Sequence, residues 1–438
     1  MQLNDHKCGV AIVGGGLAGL AAATYLAKSG KSVRLFEQSH ALGGRAQTKQ
    51  QEGFYLNIGP HALYRGGRGI EVLRELGVEP RGKVPSVSGA FAVKGGIKHT
   101  FPAGTLSLLT TSLFGLSAKL EAGRLLASIG KVDGDRLMDV SVREWIDQNV
   151  SHRAVQELIL AAFRVATYTN APELMSAGAA IEQLKKAQDK SVLYLDGGWQ
   201  TLVDGLRDAA VRSGVVIETE ARVEAVTRNA FGAVGGVRLA NGVRFEASSV
   251  VIAASPPVAV ALVERAQGTS LARWADVAIP VKAACFDVAL SRLPMPKATF
   301  ALGMDRPLYL SVHSAAAKLA PEGGALIQVA KYLEPGHDES AVKVERELEG
   351  LLDLIQPGWR DVVVYRRFLP DMTVMNSMPL ALADGTRGRP GPEVPDVPGL
   401  FVAGDWVGQE GLLVDASLAS AKQAAQIIAS RKVVNAAA

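Results

Sequence analysis

The hydrophobic pattern at the start of the chain is an unbroken run. Cys8 to Val13 are apolar without alternation, the pattern of a parallel strand buried on both faces. The small-residue stretch LAAATYLAKSG follows a glycine cluster and predicts a helix that Gly30 stops. Ser32 to Phe36 form a second apolar run, which ends on the acid Glu37. Much later, Thr201 to Arg212 carry an amphipathic helical period, and two strands follow it. Asn241-Gly242 predicts a hairpin turn before a buried strand at Val250 to Ala253, closed by Pro256-Pro257. The stretch FVAGDWVGQEGLLVDASLASAKQAA, from Phe401 to Ala425, reads as a buried strand, a loop ending at Gly411, and a helix. Residues 86–194 are rich in helical periodicity, and 256–394 mix strands and helices. Alternating strands and helices at the two ends predict an α/β fold around a parallel sheet.

The chemistry first shows between the two N-terminal strands. Gly14-Gly15-Gly16-Leu17-Ala18-Gly19 places a GxGxxG between strand and helix. In such a unit Gly14 permits the tight turn and Gly16 lets a pyrophosphate approach the backbone. Gly19 lets helix and strand pack closely, and the helix N-terminus faces the phosphate. Glu37, at the end of the second strand, is placed to accept from ribose hydroxyls. A lone GxGxxG is weak evidence. Flanked by two strands and an acid at this spacing, it predicts dinucleotide binding. The next stretch, ALGGRAQT, puts Gly43, Gly44 and Arg45 where an NAD domain would enter another helix. A second glycine pair with an arginine suits extended chain lying along a longer ligand, and the plainer alternative is a surface turn.

Length, composition and charge narrow the classes. A chain of 438 residues exceeds one small core, so two or three domains are expected. With 48% apolar and 21% charged residues the composition is that of an ordinary globular protein. A net charge of +4 supplies no basic stripe for nucleic acid, and attraction to an anionic membrane surface stays open. Cys8 and Cys285 form no metal-ligand spacing, and no metal is expected. The opening MQLNDHKCGVAIVGGG lacks a cleavable signal pattern, and no run of about 18 apolar residues predicts a spanning helix. The expected location is cytoplasmic, with membrane association open.

The stretch GGGLAGLAAATYLAKSGKSVRLFEQSHALGGRAQT resembles the opening of the flavin amine oxidase superfamily, which holds monoamine and L-amino-acid oxidases, protoporphyrinogen oxidase and the phytoene desaturases. The likeness covers most of the chain and is strongest at its ends. It implies a Rossmann-type FAD-binding domain with an inserted α+β substrate domain. The FAD domain is expected from 1–85, 195–255 and 395–438, and the substrate domain from 86–194 and 256–394. The resemblance implies noncovalent FAD held by Gly14, Gly16, Leu17, Ala18, Gly19, Glu37, Gln38, Gly43, Gly44 and Arg45. It adds Gly59, Pro60, His61 and Ala62 at the flavin edge, and Val223 packed on adenine through its backbone. It answers why Gly404-Asp405 stands before the last helix. That segment returns to the FAD domain, Asp405 meets the ribityl or phosphate region, and Leu412, Leu413 and Val414 open a helix aimed at the flavin N1–C2=O edge.

The branch of the superfamily decides the substrate. In amine oxidases a lysine at a place similar to Lys282 holds a water near flavin N5, so Lys282 and His61 are the catalytic candidates. Each has a plainer structural reading, as a solvent-facing strand lysine and a structural imidazole. Against an amine stands Leu412, where amine oxidases commonly carry an aromatic wall of the amine cage. The turn in LAPEGGALIQVA is closer to the desaturases and protoporphyrinogen oxidases. The expected reaction is therefore hydride transfer from a carbon of an apolar, isoprenoid-like or tetrapyrrole-like substrate, with oxygen or a quinone as electron acceptor. Trp406 and Leu412 are expected at the substrate pocket. An amine oxidase using Lys282 and a flavin-binding scaffold without turnover are the alternatives. The leucine-rich FPAGTLSLLTTSLFGLSAKLEAGRLL reads either as core helices or as helices lying on a membrane.

Overall fold

The computed structural model describes residues 7–431. The terminal residues on either side, including the first six of the stretch inspected for a signal, lie outside them.

The two N-terminal apolar runs form β1 (Lys7–Val13) and β2 (Val33–Phe36), joined by α1 (Leu17–Lys28). They lie side by side and parallel, with Val10 against Val33 and Val13 against Phe36. Beyond β2 the sheet adds Val216–Glu218, also parallel. On the other side of β1 lies the long strand Arg244–Ile252, whose far end pairs in parallel with Leu400–Val402. The first sheet thus gathers strands from the beginning, middle and end of the chain. Val250, Val251 and Ile252 are almost completely buried, as expected of a strand covered on both faces. The predicted hairpin is present, with Val234–Leu239 antiparallel to Arg244–Ile252 and Gly242 in the left-handed region at φ +85°. Pro256 does more than end the preceding strand: it opens the short helix Pro256–Leu262, where its missing N–H costs nothing.

The second sheet runs in the order Val363–Met375, Val281–Leu290, Ala325–Leu333, Leu308–Val312, Phe300–Gly303, Phe91–Lys94 and Ile97–Thr100. Its last two strands come from the region read as helical. That hairpin is short, with exposed residues, and lacks the alternation that marks a strand. The central strand Val281–Leu290 presents alternate residues to two different cores. Ala284, Phe286 and Val288 pack with the helix Ala341–Ile355 in one cluster. Ala283 and Cys285 face the helices of 105–190 in another. The layers match a Rossmann-type nucleotide sheet joined to an α+β unit.

The leucine-rich stretch forms helices Thr105–Thr110 and Leu116–Ser128. Leu108, Leu113, Phe114 and Ala118 are buried, while Leu106, Leu109, Leu116 and Leu120 are 58–75% exposed. Both readings of the stretch therefore describe part of it. Among the described residues no helix is long and apolar enough to cross a membrane.

Candidate functional site

The site begins at the turn between β1 and α1. Gly14 lies at φ +106°, and a Cβ there would stand 2.7 Å from the carbonyl oxygen of Ala253. A Cβ on Gly19 would fall 1.9 Å from the oxygen of Gly14, so only glycine lets α1 start so close to the strand. Gly16 differs. Its Cβ would meet nothing nearer than Gly43 O at 3.8 Å, so its missing side chain leaves open space, not a packed contact. Glu37 closes the turn, accepting from Gly15 N at 2.7 Å and Ser39 N at 2.9 Å.

These residues form one wall of an elongated cavity of about 710 Å³. Its lining takes in Gly14, Gly16, Leu17, Ala18, Glu37, Gln38, Gly43, Gly44 and Arg45 from the N-terminal unit, and Pro60, His61 and Ala62 from the following loop. Val223 lines it from the middle of the chain, and Gly404, Asp405, Leu413 and Val414 from the end. Asp405 is 1% exposed. It pairs with Arg45 Nη1 at 2.7 Å and accepts from Asn376 through both its backbone N–H and its side chain. Arg45 also donates to Val374 O, so three distant segments meet at one buried carboxylate. The C-terminal helix, Leu413–Ser430, begins at the cavity wall. Leu413 adopts φ +56°, uncommon for a branched residue and consistent with a constrained site. The first N–H groups of this helix, at Leu413 and Val414, have no acceptor among the described residues, the usual state of a helix N-terminus.

His61 lines the same cavity, its ring edge-on to Trp199 with centroids 4.8 Å apart. Its Nδ1–H donates to Gly59 O at 3.0 Å, which leaves Nε2 as the acceptor nitrogen. Burial pulls its pKa below the ordinary imidazole value, so the ring is neutral at physiological pH. The indole N–H of Trp199, also in the wall, is buried with no partner.

Five expected site residues stand outside the lining. Gly19 and Gly59 support it from behind. The φ of Gly59 is +74°, and a Cβ there would collide with Met372 and with Cys285 Sγ at under 3 Å. Leu412 is the N-cap of the C-terminal helix, and its side chain joins the core cluster containing Met375 and Cys285. It is Leu413 that faces the cavity. Trp406, expected at a polar rim, is 2% exposed in the core beside the first sheet, its indole N–H bonded to Ala254 O. Lys282 is displaced most. Alternation along Val281–Leu290 turns Ala283 and Cys285 toward Gly59 and sends Lys282 to the opposite face. There it is ion-paired with Asp371 at 2.8 Å. A role beside the flavin does not fit this placement, because a one-residue offset in a strand reverses the face.

The structure brings to the cavity residues that were not expected among its site residues. Asn376, Val374 and Met372 reach the cavity only because the strand Val363–Met375 ends there. Trp199 follows Gly197-Gly198 and could have been suspected as an aromatic at a glycine turn. Tyr168 caps the helix Arg153–Thr167 at φ +61°, donates to Pro60 O at 3.0 Å and lines the FAD-sized cavity. It also lines a second cavity of about 820 Å³, and Ala62 is likewise common to both.

The first cavity fits FAD. The open space at Gly16, the unsatisfied helix N-terminus and the orphaned indole N–H each await a polar, partly anionic ligand. The family description "Flavin containing amine oxidoreductase" matches residues 17–279. The 15-cis-phytoene desaturase of Arabidopsis thaliana is 28% identical over 280 residues, 56% of this chain and 47% of that protein. Coproporphyrinogen III oxidase of Bacillus subtilis is 24% identical over 291 residues, 58% of this chain and 61% of that protein. The chain thus spans about half to three-fifths of these curated relatives. Among solved structures, a triple variant of a putrescine oxidase superposes with a TM-score of 0.77 at 17% identity, covering 97% of this chain and 99% of the other. The cofactor is FAD, and the chain belongs to the flavin containing amine oxidoreductase family.

Proposed function

We propose that the protein oxidises a carbon centre of an uncharged, apolar organic substrate. FAD occupies the cavity walled by Gly14, Gly16, Arg45, Asp405 and Val414, and the substrate reaches it from the second cavity past Ala62 and Tyr168. The division of 1–85, 195–255 and 395–438 from 86–194 and 256–394 is, on this reading, a division between cofactor and substrate handling.

One observation carries the choice of substrate. Among the described residues, the wall of the second cavity contains no acidic side chain, and its only ionic residue is the exposed Lys297. An ammonium drawn into such a chamber would lose its hydration with no counter-charge to replace it, at a cost of several kcal/mol. An apolar chain gains instead, by roughly 0.8 kcal/mol per buried CH₂. The placement of Lys282 on the far face of its strand supports the same choice.

When bound, FAD would supply a two-electron acceptor for hydride. The chain's residues set the conditions. The N-terminus of Leu413–Ser430 offers N–H groups and a positive dipole where negative charge collects. Tyr168 fixes the Pro60 carbonyl and so the loop carrying His61. Neutral His61, with its lone pair on Nε2, takes the proton that a carbon loses when its neighbour gives up hydride. Oxygen or a quinone would be the final electron acceptor.

The test is anaerobic mixing of holoenzyme with neutral alkenes, primary amines, polyamines and amino acids while flavin absorbance is followed. Neutral apolar compounds should bleach it, amines should not, and Lys282→Met should leave the rate unchanged. Rapid bleaching by an amine, lost in Lys282→Met, overturns the reading.

A further inference from the structure

Among the polar side chains that line the second cavity, one buried set is hydrogen-bonded into a line that hydride transfer does not use. On the strand Leu308–Val312 the alternate residues Tyr309 and Ser311 point to one face, and His313 continues the series one step past its end. Opposite them stands Tyr194, on the strand Val192–Leu195. The hydroxyls form a line. Ser311 Oγ lies 3.2 Å from Tyr194 Oη, Tyr194 Oη lies 3.2 Å from Tyr309 Oη, and Tyr309 Oη lies 3.2 Å from His313 Nε2. The imidazole also stacks flat on the Tyr194 ring, with centroids 3.9 Å apart. All four side chains are at most 5% exposed, and Tyr194, Tyr309 and Ser311 line the cavity.

A hydrogen-bonded line of this kind can run in either direction. If His313 donates from Nε2, each hydroxyl passes its proton along and Ser311 ends the line with an O–H to give. If His313 accepts, the protons run the other way and Ser311 ends it with a lone pair to offer. Ser311 Oγ also meets the Tyr309 side chain, and a hydroxyl with one donor and two acceptor sites keeps capacity for one more partner. The cluster remains neutral throughout, since burial holds His313 down at about 3 and raises both tyrosines. It therefore satisfies a carbonyl by donation or a hydroxyl by either role. It provides no charge to balance an ion.

We infer that the Ser311 end of the Tyr194–Tyr309–His313 line is a substrate-recognition subsite for a neutral oxygen function, a hydroxyl or carbonyl, on an otherwise apolar molecule. The inference rests on the reading of the second cavity as the substrate chamber, and it adds the one polar group that the chamber selects. It places that group at a fixed point, so the line of hydroxyls also sets which carbon of the substrate lies nearest Tyr168 and the flavin.

Calorimetric titration of the oxidised holoenzyme with one matched set of probes tests this: butylbenzene, 4-phenyl-1-butanol, 4-phenyl-2-butanone, 4-phenylbutylamine and 4-phenylbutyrate. The alcohol and ketone should bind roughly threefold to tenfold more tightly than butylbenzene, the effect of about one net hydrogen bond. The amine and carboxylate should bind more weakly than the neutral oxygen compounds. Ser311→Ala and Tyr309→Phe should each bring the alcohol and ketone down to butylbenzene, whose own affinity reports an intact cavity. An alcohol advantage that is absent in the wild type, or that survives both variants, overturns the inference, as does tightest binding of either ion. No turnover is required. Failure of every neutral compound to bleach the flavin would refute the proposed reaction while leaving this binding order standing.

Discussion

Gly16 and Gly19 belong to the same motif, yet the structure assigns them different costs. Replacing Gly19 by alanine puts a methyl 1.9 Å from Gly14 O, more than an ångström inside van der Waals contact with backbone. Either α1 or the Gly14 turn must move, and forced repacking of this kind costs about 1–3 kcal/mol with or without cofactor. Replacing Gly16 puts a methyl into the cavity, 3.8 Å from its nearest neighbour. Gly16 is the N-cap of α1 with φ −77°, so the backbone accepts alanine, and the apoprotein should lose at most about 1 kcal/mol. The methyl instead stands where the pyrophosphate must approach. A clash of about 1–3 kcal/mol felt only by the holoprotein is a tenfold to hundredfold weaker hold on FAD. Two measurements on each variant separate the cases: melting temperature of the apoprotein, and flavin fluorescence released on dilution of the holoprotein. Gly19→Ala should lower the first and leave the second little changed, whereas Gly16→Ala should change only the second. Wild-type FAD retention in Gly16→Ala, or an apoprotein as destabilised as Gly19→Ala, would refute the reasoning.

Two other sites make independent predictions. Asp415, in the first turn of the C-terminal helix, is fully buried, accepts from Gly69 N at 2.8 Å through Oδ1 and is ion-paired with Lys186 Nζ at 3.5 Å through Oδ2. Burial raises its pKa, so the folded state binds its proton more tightly than the unfolded chain, whose aspartates titrate near about 3.9. Its contribution to stability is full below that value and is lost as pH rises through the folded pKa. Asp415→Asn should reduce the fall in melting temperature over that rise, and an unchanged pH slope would count against the account. The exposed Leu106, Leu109, Leu116 and Leu120 should carry the protein upward with anionic liposomes in flotation at low salt, where screening is weakest, and serine at all four should abolish it. Wild-type protein that stays at the bottom removes the membrane reading.

By itself the sequence determined the nucleotide half of this protein. β1, α1, β2 and the glycines between them are consecutive, and their geometry follows from local rules: unbroken apolar runs for buried parallel strands, glycine where a Cβ would strike Gly14 O or Ala253 O. Glu37, Arg45 and Asp405 could be named because each is tied to a short motif or an element end. The substrate half follows no such local rule. Whether Lys282 or Ala283 joins the core on the Gly59 side depends on the pairing of Val281–Leu290 with two strands some 40 and 80 residues away, and an offset of one residue reverses the answer. Leu412 and Leu413 are adjacent, yet Leu412 packs in the core and Leu413 lines the cavity, with Leu413 in the left-handed region. Tyr194 comes within hydrogen-bond reach of Tyr309 and Ser311 across more than a hundred residues of chain. Local propensity decides which elements form, but a site built from side chains of separate strands is decided by register and packing, which arise only when the whole chain is folded.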